Sequence, residues 1–159
     1  MQWNKFKKQV KEYIHPLFRD KIKFNYNGGW SNKFIILYEN KALATYISDL
    51  WNWEANNLFT PVIPDEFGEA LKIMHQMMEE EAVKQKTYSP QKVSNLIMDV
   101  FNNMSIKDAL NSENKFIRAI ALIDRRCGSR TFKQIDYSTE EDFLLRNVYN
   151  LRKYLEGQK

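Results

Sequence analysis

The spacing of apolar residues near the amino terminus predicts an amphipathic helix. Trp3, Phe6 and Val10 recur at steps of three and four residues, and the lysines between them fall mostly on the other face. Pro16 disfavours helical backbone in the residue before it, so we expect the helix to end near His15. The chain therefore begins with one short helix whose apolar side needs a covering layer.

The period then changes from helical to strand-like. Apolar and polar residues alternate through 22–26, which is typical of a half-buried strand. Two further apolar segments, 34–38 and 43–47, flank the short polar sequence 39–41, and this spacing favours antiparallel strands joined by a turn. These three segments predict a three-stranded antiparallel meander.

Helical periodicity returns in the second half of the chain and continues to the carboxyl end. We expect four helices there and a short helical turn at 105–108. Asp65 and Ser89 are suitable N-cap residues for the first two helices, and Gly128 is expected to end the third in a left-handed conformation. Residues 138–141, Ser-Thr-Glu-Glu, predict a capping box at the start of the last helix.

These elements predict an α+β fold, in which an N-terminal helix and a three-stranded antiparallel meander are followed by a helical C-terminal half packed on them. A chain of 159 residues with 43% hydrophobic residues fits one globular domain, 1–159.

No apolar stretch approaches the roughly 20 residues of a membrane helix, so we expect no membrane partner. The single cysteine, Cys127, and the lack of a secretory signal favour a cytoplasmic location.

Charge is unevenly distributed along the chain, although its formal net value is only +4. Residues 1–41 carry +6, residues 42–89 carry −5 and residues 90–159 carry +3. Such segregation can steer a charged partner, but both signs are interleaved and no dense basic stripe is present. The charge pattern alone therefore allows a charged partner but argues against a dedicated nucleic-acid binder.

The acidic middle of the chain contains the first candidate contact surface. Residues 48–64 are aromatic and aperiodic, and Trp51 and Trp53 are candidate anchors for a partner. Glu79, Glu80 and Glu81 late in the predicted helix oppose its dipole, so they are either a solvated helix face or an acidic contact for a basic partner.

The densest polar segment lies near the end of the third predicted helix of this half. Arg125 and Arg126 suit a helix C-terminus, and Asp124 can pair with a basic residue nearby, which predicts a capping and salt-bridge role. Guanidinium groups also suit carboxylates and phosphates, so Arg125, Arg126, Arg130 and Lys133 are candidate contacts for an anion or a nucleic acid.

The sequence contains no constellation that predicts catalysis, a metal site or a cofactor. His15 stands at a helix end, and His75 lacks a second histidine at helical spacing. Glu79 lies four residues after His75, but no nucleophile accompanies this pair. We therefore expect a protein that is not an enzyme and needs no cofactor.

Three segments resemble a family of small, uncharacterised bacterial proteins. They are residues 1–8 with M-x-W-x-K-F-K-K, residues 116–130 ending in D-R-R-x-G-x-R, and residues 145–152 with L-R-x-x-Y-x-L-R. The resemblance implies a cytosolic bacterial protein without known catalysis, of a type similar to the small immunity proteins encoded beside polymorphic toxins.

Our first functional hypothesis is therefore a non-enzymatic interaction protein, an immunity protein that binds and neutralises a cognate toxin domain. The alternative is a nucleic-acid-binding module that uses the basic first helix and the segment from Arg125 to Lys133. The net positive charge opposes the first hypothesis, since an inhibitor of a nucleic-acid-cleaving toxin is more naturally acidic. The sequence leaves the oligomeric state open.

Overall fold

The computed structural model describes residues 3–27, 31–49 and 88–158. Outside these ranges lie the helix predicted after Asp65 and the predicted contact residues Trp51, Trp53, Glu79, Glu80 and Glu81.

The order of elements confirms the predicted α+β fold, with one helix, then a three-stranded sheet, then helices. The described elements are α1 (Trp3–Tyr13), β1 (Ile22–Asn27), β2 (Ser31–Tyr38), β3 (Lys41–Asp49), α2 (Pro90–Asn103), α3 (Ile106–Leu110), α4 (Lys115–Ile123), α5 (Ser129–Phe132) and α6 (Phe143–Gly157).

The sheet is the predicted antiparallel meander, with strand order β1-β2-β3. Phe24 pairs with Ile36 across β1 and β2, and a register shift follows Ile36 in the pairing of β2 with β3. Glu39 and Asn40 join β2 to β3 with φ angles of 47° and 67°. Positive φ at both turn residues matches the right-handed twist of the strands, so the polar sequence expected between them forms a tight two-residue turn.

Helix α1 lies on the sheet through an aromatic cluster. Trp3 stacks on Phe6 with 5.1 Å between ring centroids. Phe6 in turn meets Phe24 and Phe34 edge-on at 5.9 and 6.0 Å. The apolar side of α1, predicted from its three- and four-residue spacing, is thus the side that the sheet covers.

Helix α4 forms the centre of the helical half. Its residues 119–123 are all buried, together with Phe116 at its first turn. A helix that is apolar on every side must be covered on every side. In agreement, α4 packs against α2, α3 and α6.

Serine residues begin two of the helices, as predicted. Ser89 Oγ accepts a hydrogen bond from the backbone N–H of Lys92 at 3.2 Å, and Ser105 Oγ accepts one from Asp108 at 3.1 Å. Each hydroxyl satisfies one of the backbone donors that a helix start leaves without a partner.

Two predicted helix ends were wrong. Helix α4 ends at Ile123 with Asp124 as its C-cap, and Gly128 instead stands at the N-cap of α5 with φ −68°. The last helix is capped by Asp142, whose carboxylate accepts from Leu145 N–H at 2.9 Å, rather than by Ser138. Ser138 bonds to Asp136 instead. Asp124 is held by the bridge to Ile14, and Asp142 accepts a hydrogen bond from its own helix. Each therefore takes the capping position that the short motif gave to another residue.

None of the helices in the described ranges is long and apolar enough to cross a lipid bilayer.

Candidate functional site

The segment 123–128 joins the two halves of the fold. The backbone N–H of His15 donates to Ile123 O at 2.7 Å, and the N–H of Arg125 donates to Tyr13 O at 2.7 Å. These two bonds form an isolated antiparallel bridge between Ile14 and Asp124. The end of α1 is therefore attached directly to the end of α4.

Asp124 and Arg126 form an ion pair at this junction. The Asp124 side chain is fully buried, and it accepts from Arg126 Nη2 at 2.6 Å and from Arg126 Nε at 3.0 Å. The same guanidinium donates to the backbone oxygens of Val100 and Met104 at the end of α2, at 2.7 and 2.8 Å. The hydrogen bond to Asp124 raises the pKa of Arg126. Arg126 thus satisfies both a buried carboxylate and the carbonyls that a helix end leaves without a partner.

Arg152 is a fully buried cation that ties α6 to the same segment. Its guanidinium donates to Leu122 O at 2.5 Å and to Cys127 O. It also pairs with Glu156 at 3.1 Å and lies over the ring of Phe132, 5.1 Å from the centroid. A buried charge needs this many partners, because its loss of hydration is otherwise uncompensated.

The four cations predicted to contact an anion or nucleic acid take three kinds of position. Arg126 is held by Asp124 and α2. Arg125 lies over the ring of Tyr13, 5.7 Å from the centroid, and its residue is exposed. Arg130 and Lys133 are exposed on and just after α5. The structure therefore gives Arg126 the capping and salt-bridge contacts that the sequence also predicted, although all four residues are exposed.

A second group of cations lines a groove between α1 and β1. The groove has a volume of about 490 Å³, and we call it the lysine groove. Its rim carries five cations and one carboxylate, namely Lys7, Lys8, Lys11, Arg19, Lys23 and Asp20. Its apolar lining includes Val10, Ile14, Ile22 and Phe24, which are all buried.

Local structure shows how these cations are placed. Lys7 and Lys11 lie one helical turn apart on α1. Lys23 alternates with the buried Ile22 and Phe24 of β1, so its side chain is directed away from the apolar lining of the groove. Lys23 Nζ donates to Asn40 at 3.0 Å, and Lys7 Nζ lies 5.7 Å from the Trp3 ring centroid. Within the described ranges, none of the five cations has a carboxylate in ion-pair distance.

Two further grooves lie beside other faces of the fold. The amide groove, of about 440 Å³ between α1 and α2, is lined by Lys5, Phe6, Gln9, Gln91, Ser94, Asn95, Met98 and Asn102. The tyrosine groove, of about 460 Å³ between α6 and the β2–β3 turn, is lined by Tyr38, Glu39, Lys41, Leu43, Asn147, Asn150, Leu151 and Tyr154.

Sequence reasoning identified the basic first helix but missed Arg19 and Lys23 as its partners in the lysine groove. The charge of +6 over residues 1–41 was the available signal, and the fold was needed to show that α1 and β1 lie side by side. Arg152 was also missed, because nothing in an arginine on an amphipathic helix indicates that it is buried. No group of three or more histidine, cysteine or acidic residues in the described part of the chain could hold a metal ion.

Comparison with known proteins places the chain in a family. A sequence model of the SF0329 protein family matches residues 2–153. No curated protein and no solved structure matches the chain. The match covers both the lysine groove and the junction around Asp124.

Proposed function

The chain belongs to the SF0329 protein family, and we propose that this member is a non-enzymatic binding protein that holds the phosphate backbone of a nucleic acid in the lysine groove. The observation that carries the proposal is the set of four cations around one groove, Lys7, Lys8, Lys11 and Arg19, none of them neutralised by an ion pair in the described ranges. Cations gathered in a cleft with an apolar floor concentrate anions there.

The kind of cation favours phosphate over an acidic protein surface. Three of the four are lysines, and lysine is depleted at the cores of protein interfaces, where tyrosine, tryptophan and arginine provide anchors. Among the residues that the structure describes, Phe24 is the one aromatic residue that lines the groove, and it is buried. Lysine binds phosphate well as a point charge, and phosphate contacts of this kind supply most of non-specific nucleic-acid affinity.

The dependence of affinity on salt tests this proposal. If four cations each displace a counterion from a single strand, the slope of log K against log salt is roughly −3. Affinity for a labelled oligonucleotide of mixed sequence should then fall about fiftyfold between about 50 and 200 mM salt. Fluorescence anisotropy measures both quantities.

A matched pair of variants locates the site. Changing Lys7 and Lys11 to alanine should weaken binding and reduce the slope by roughly 1.4, because two of the counterion-releasing contacts are lost. Changing Lys107 and Lys153, two exposed lysines outside all three grooves, removes the same charge and should leave the slope unchanged. Equal effects of the two pairs, or no binding at the lower salt concentration, would reject the lysine groove.

The tyrosine groove supports a second candidate function, in which the partner is a protein, such as the toxin domain expected for an immunity protein. Tyr154 is 63% exposed, and it lines the groove together with Tyr38. Tyrosine is enriched at protein interfaces, and the amides of Asn147 and Asn150 can bond to a partner's backbone. This hypothesis also uses the predicted contacts Trp51, Trp53, Glu79, Glu80 and Glu81, which lie outside the described residues.

Calorimetry with the toxin domain encoded beside this protein's gene tests the second candidate. A stoichiometric complex that Tyr154→Ala weakens by accelerated dissociation would support it. The Lys7 and Lys11 double variant should leave that complex intact, since the tyrosine groove lies elsewhere. Absence of a complex with the wild-type protein would reject the immunity function.

A further inference from the structure

We propose that two copies of the protein associate through the solvent-facing side of α6, with the two helices packed antiparallel about a twofold axis. This inference goes beyond the proposed function and does not depend on it, because the lysine groove lies elsewhere, beside α1 and β1. Three observations carry it, namely two exposed aromatic side chains on α6, the symmetric order of side chains on that side of the helix, and the opposite charges beside them.

The solvent-facing side of α6 carries aromatic and amide groups where a surface helix usually carries charges. Phe143 and Tyr154 are each 63% exposed, and they are the two large hydrophobic side chains that the described part of the chain leaves exposed. Asn147 and Asn150 lie between them, and steps of four, three and four residues place all four side chains on one side of the helix. We call these four residues the α6 face. Exposed aromatic groups of this kind are enriched at protein interfaces.

The order of side chains on the α6 face is the same in both directions. Aromatic, amide, amide and aromatic groups are placed symmetrically about a point between residues 148 and 149. When a second copy packs antiparallel about that point, Phe143 lies opposite its Tyr154 and Asn147 lies opposite its Asn150. The rings can then pack together, and each pair of amides can exchange hydrogen bonds. A twofold interface needs such a self-complementary pattern, whereas a surface for an unrelated protein does not.

Opposite charges beside the α6 face favour the same arrangement. Asp142 before the first turn and the exposed Lys153 near the end lie on one flank of the face. Twofold symmetry brings this flank against its own copy in the reverse direction, which places Asp142 of each copy about 3 Å along the helix axis from Lys153 of the other. Asp142 already accepts from Leu145 N–H, and a carboxylate can accept further bonds. Arg146 on this flank lies one turn after Asp142, within reach of the same carboxylate.

The length of α6 determines the expected strength of the dimer. Its 15 residues span about 22 Å, which gives a contact smaller than the roughly 1,200–2,000 Å² of stable interfaces, so we expect a reversible dimer with a micromolar dissociation constant. Sedimentation equilibrium from about 1 to 300 µM protein should show the average mass rising from monomer towards dimer. Phe143→Ala should weaken association about tenfold, because each dimer loses two pairs of rings. Phe143 lines none of the three grooves, so this change does not alter them.

An exchange of charge at the two amide positions tests the register. Asn147→Asp with Asn150→Asp, or Asn147→Lys with Asn150→Lys, places like charges opposite each other across the axis, so each double variant alone should stay monomeric. An equimolar mixture of the acidic and the basic variant should recover the dimer. The same exchanges at Asn95 and Asn103, two exposed asparagines of α2, are the control and should leave self-association unchanged. Circular dichroism checks that every variant is folded.

Each remaining outcome would overturn the inference. Wild-type protein that stays monomeric at every concentration would show that the α6 face does not bind a second copy. A dimer that persists in both charged variants, or that fails to form again in their mixture, would show that its contact lies elsewhere. A monomer whose complex with the adjacent toxin domain weakens in the Phe143 variant would assign the face to that protein instead. None of these results bears on salt-dependent oligonucleotide binding, which tests the lysine groove separately.

Discussion

Arg152 illustrates how one residue can determine the packing of three elements. It is the largest fully buried side chain in the described part of the chain, and it bonds to the end of α4, to the segment before α5 and to Glu156 on its own helix. A hydrophobic side chain of equal volume would leave two carbonyl oxygens and a carboxylate without this donor. The two carbonyl oxygens and the carboxylate around it therefore need the arginine as a donor. Buried ion pairs nevertheless add little net stability compared with apolar packing.

We predict that Arg152→Ala lowers the free energy of unfolding by about 3–5 kcal/mol, the usual cost of removing one partner of a buried pair. Glu156→Gln should cost less, because the amide oxygen still accepts hydrogen bonds. Urea denaturation measures both. Arg146→Ala on the exposed side of α6 is the control, with an expected change below about 0.5 kcal/mol. Comparable losses in the Arg146 and Arg152 variants would contradict this account.

At the scale of single elements, short sequence motifs predicted the starts of α2 and α3 but not the end of α4 or the start of α6. Ser89 caps α2 as predicted, and Ser105 caps the helical turn expected at 105–108, because an N-cap needs only the helix's own N–H groups. The end of α4 depends on a contact far along the chain, since its C-cap Asp124 is held by the bridge to Ile14 as well as by the nearby Arg126. No local pattern contains that bridge, so the prediction that Gly128 ends this helix was wrong.

The Arg126→Ala variant tests whether this side chain stabilises the fold or contacts a ligand. Arg126→Ala removes two bonds to the carbonyls that end α2 and leaves the buried Asp124 without its cation, so we expect a loss of about 2–4 kcal/mol in unfolding free energy. Arg130→Ala should change stability by less than about 0.5 kcal/mol because its side chain is exposed.

Oligonucleotide affinity of the folded Arg126 variant should stay close to that of the wild-type protein, since this guanidinium is already bonded to Asp124 and to the end of α2. Nucleic-acid binding that weakens in the Arg126 variant without any loss of stability would show instead that its guanidinium contacts the ligand, as the sequence pattern allowed.

At the scale of the whole molecule, the fold class was predictable and the grooves were not. The spacing of apolar residues changes from a helical to an alternating period and back to a helical one. This change predicts the order of elements directly. The lysine groove requires α1 and β1 to be neighbours, and the amide groove requires α1 and α2 to be neighbours. Those neighbour relations follow from tertiary packing, which single-sequence patterns do not specify.

Burial of titratable groups throughout the molecule predicts how stability depends on pH. Burial raises the pKa of the Cys127 thiol from 9.0, and burial likewise raises the pKa of the Tyr46, Tyr137 and Tyr149 phenols from 10.0. For Tyr46 the Asp142 carboxylate adds to the effect of burial. At pH values above these reference pKa values the unfolded chain releases protons that the folded protein retains.

The unfolding free energy should therefore be constant with respect to these groups below about pH 8 and fall as the pH rises from about 9 to 11. Urea denaturation across this range measures the decline. Tyr46→Phe removes the group with the largest cited rise in pKa, so its stability should decline less steeply than that of the wild-type protein. A profile that is flat to pH 11, or one that rises, would contradict the burial of these side chains.

The bridge between Ile14 and Asp124 also limits how early the fold can be completed during synthesis. Its two strands of backbone are about 110 residues apart in the chain. Translation adds roughly 5–20 residues each second, so the amino-terminal helix waits roughly 5–20 seconds before the segment that fixes its end has been synthesised. During that interval the aromatic face of α1 has only the nascent sheet to cover it, and the ribosome holds a chain whose first element is among the last to reach its final position.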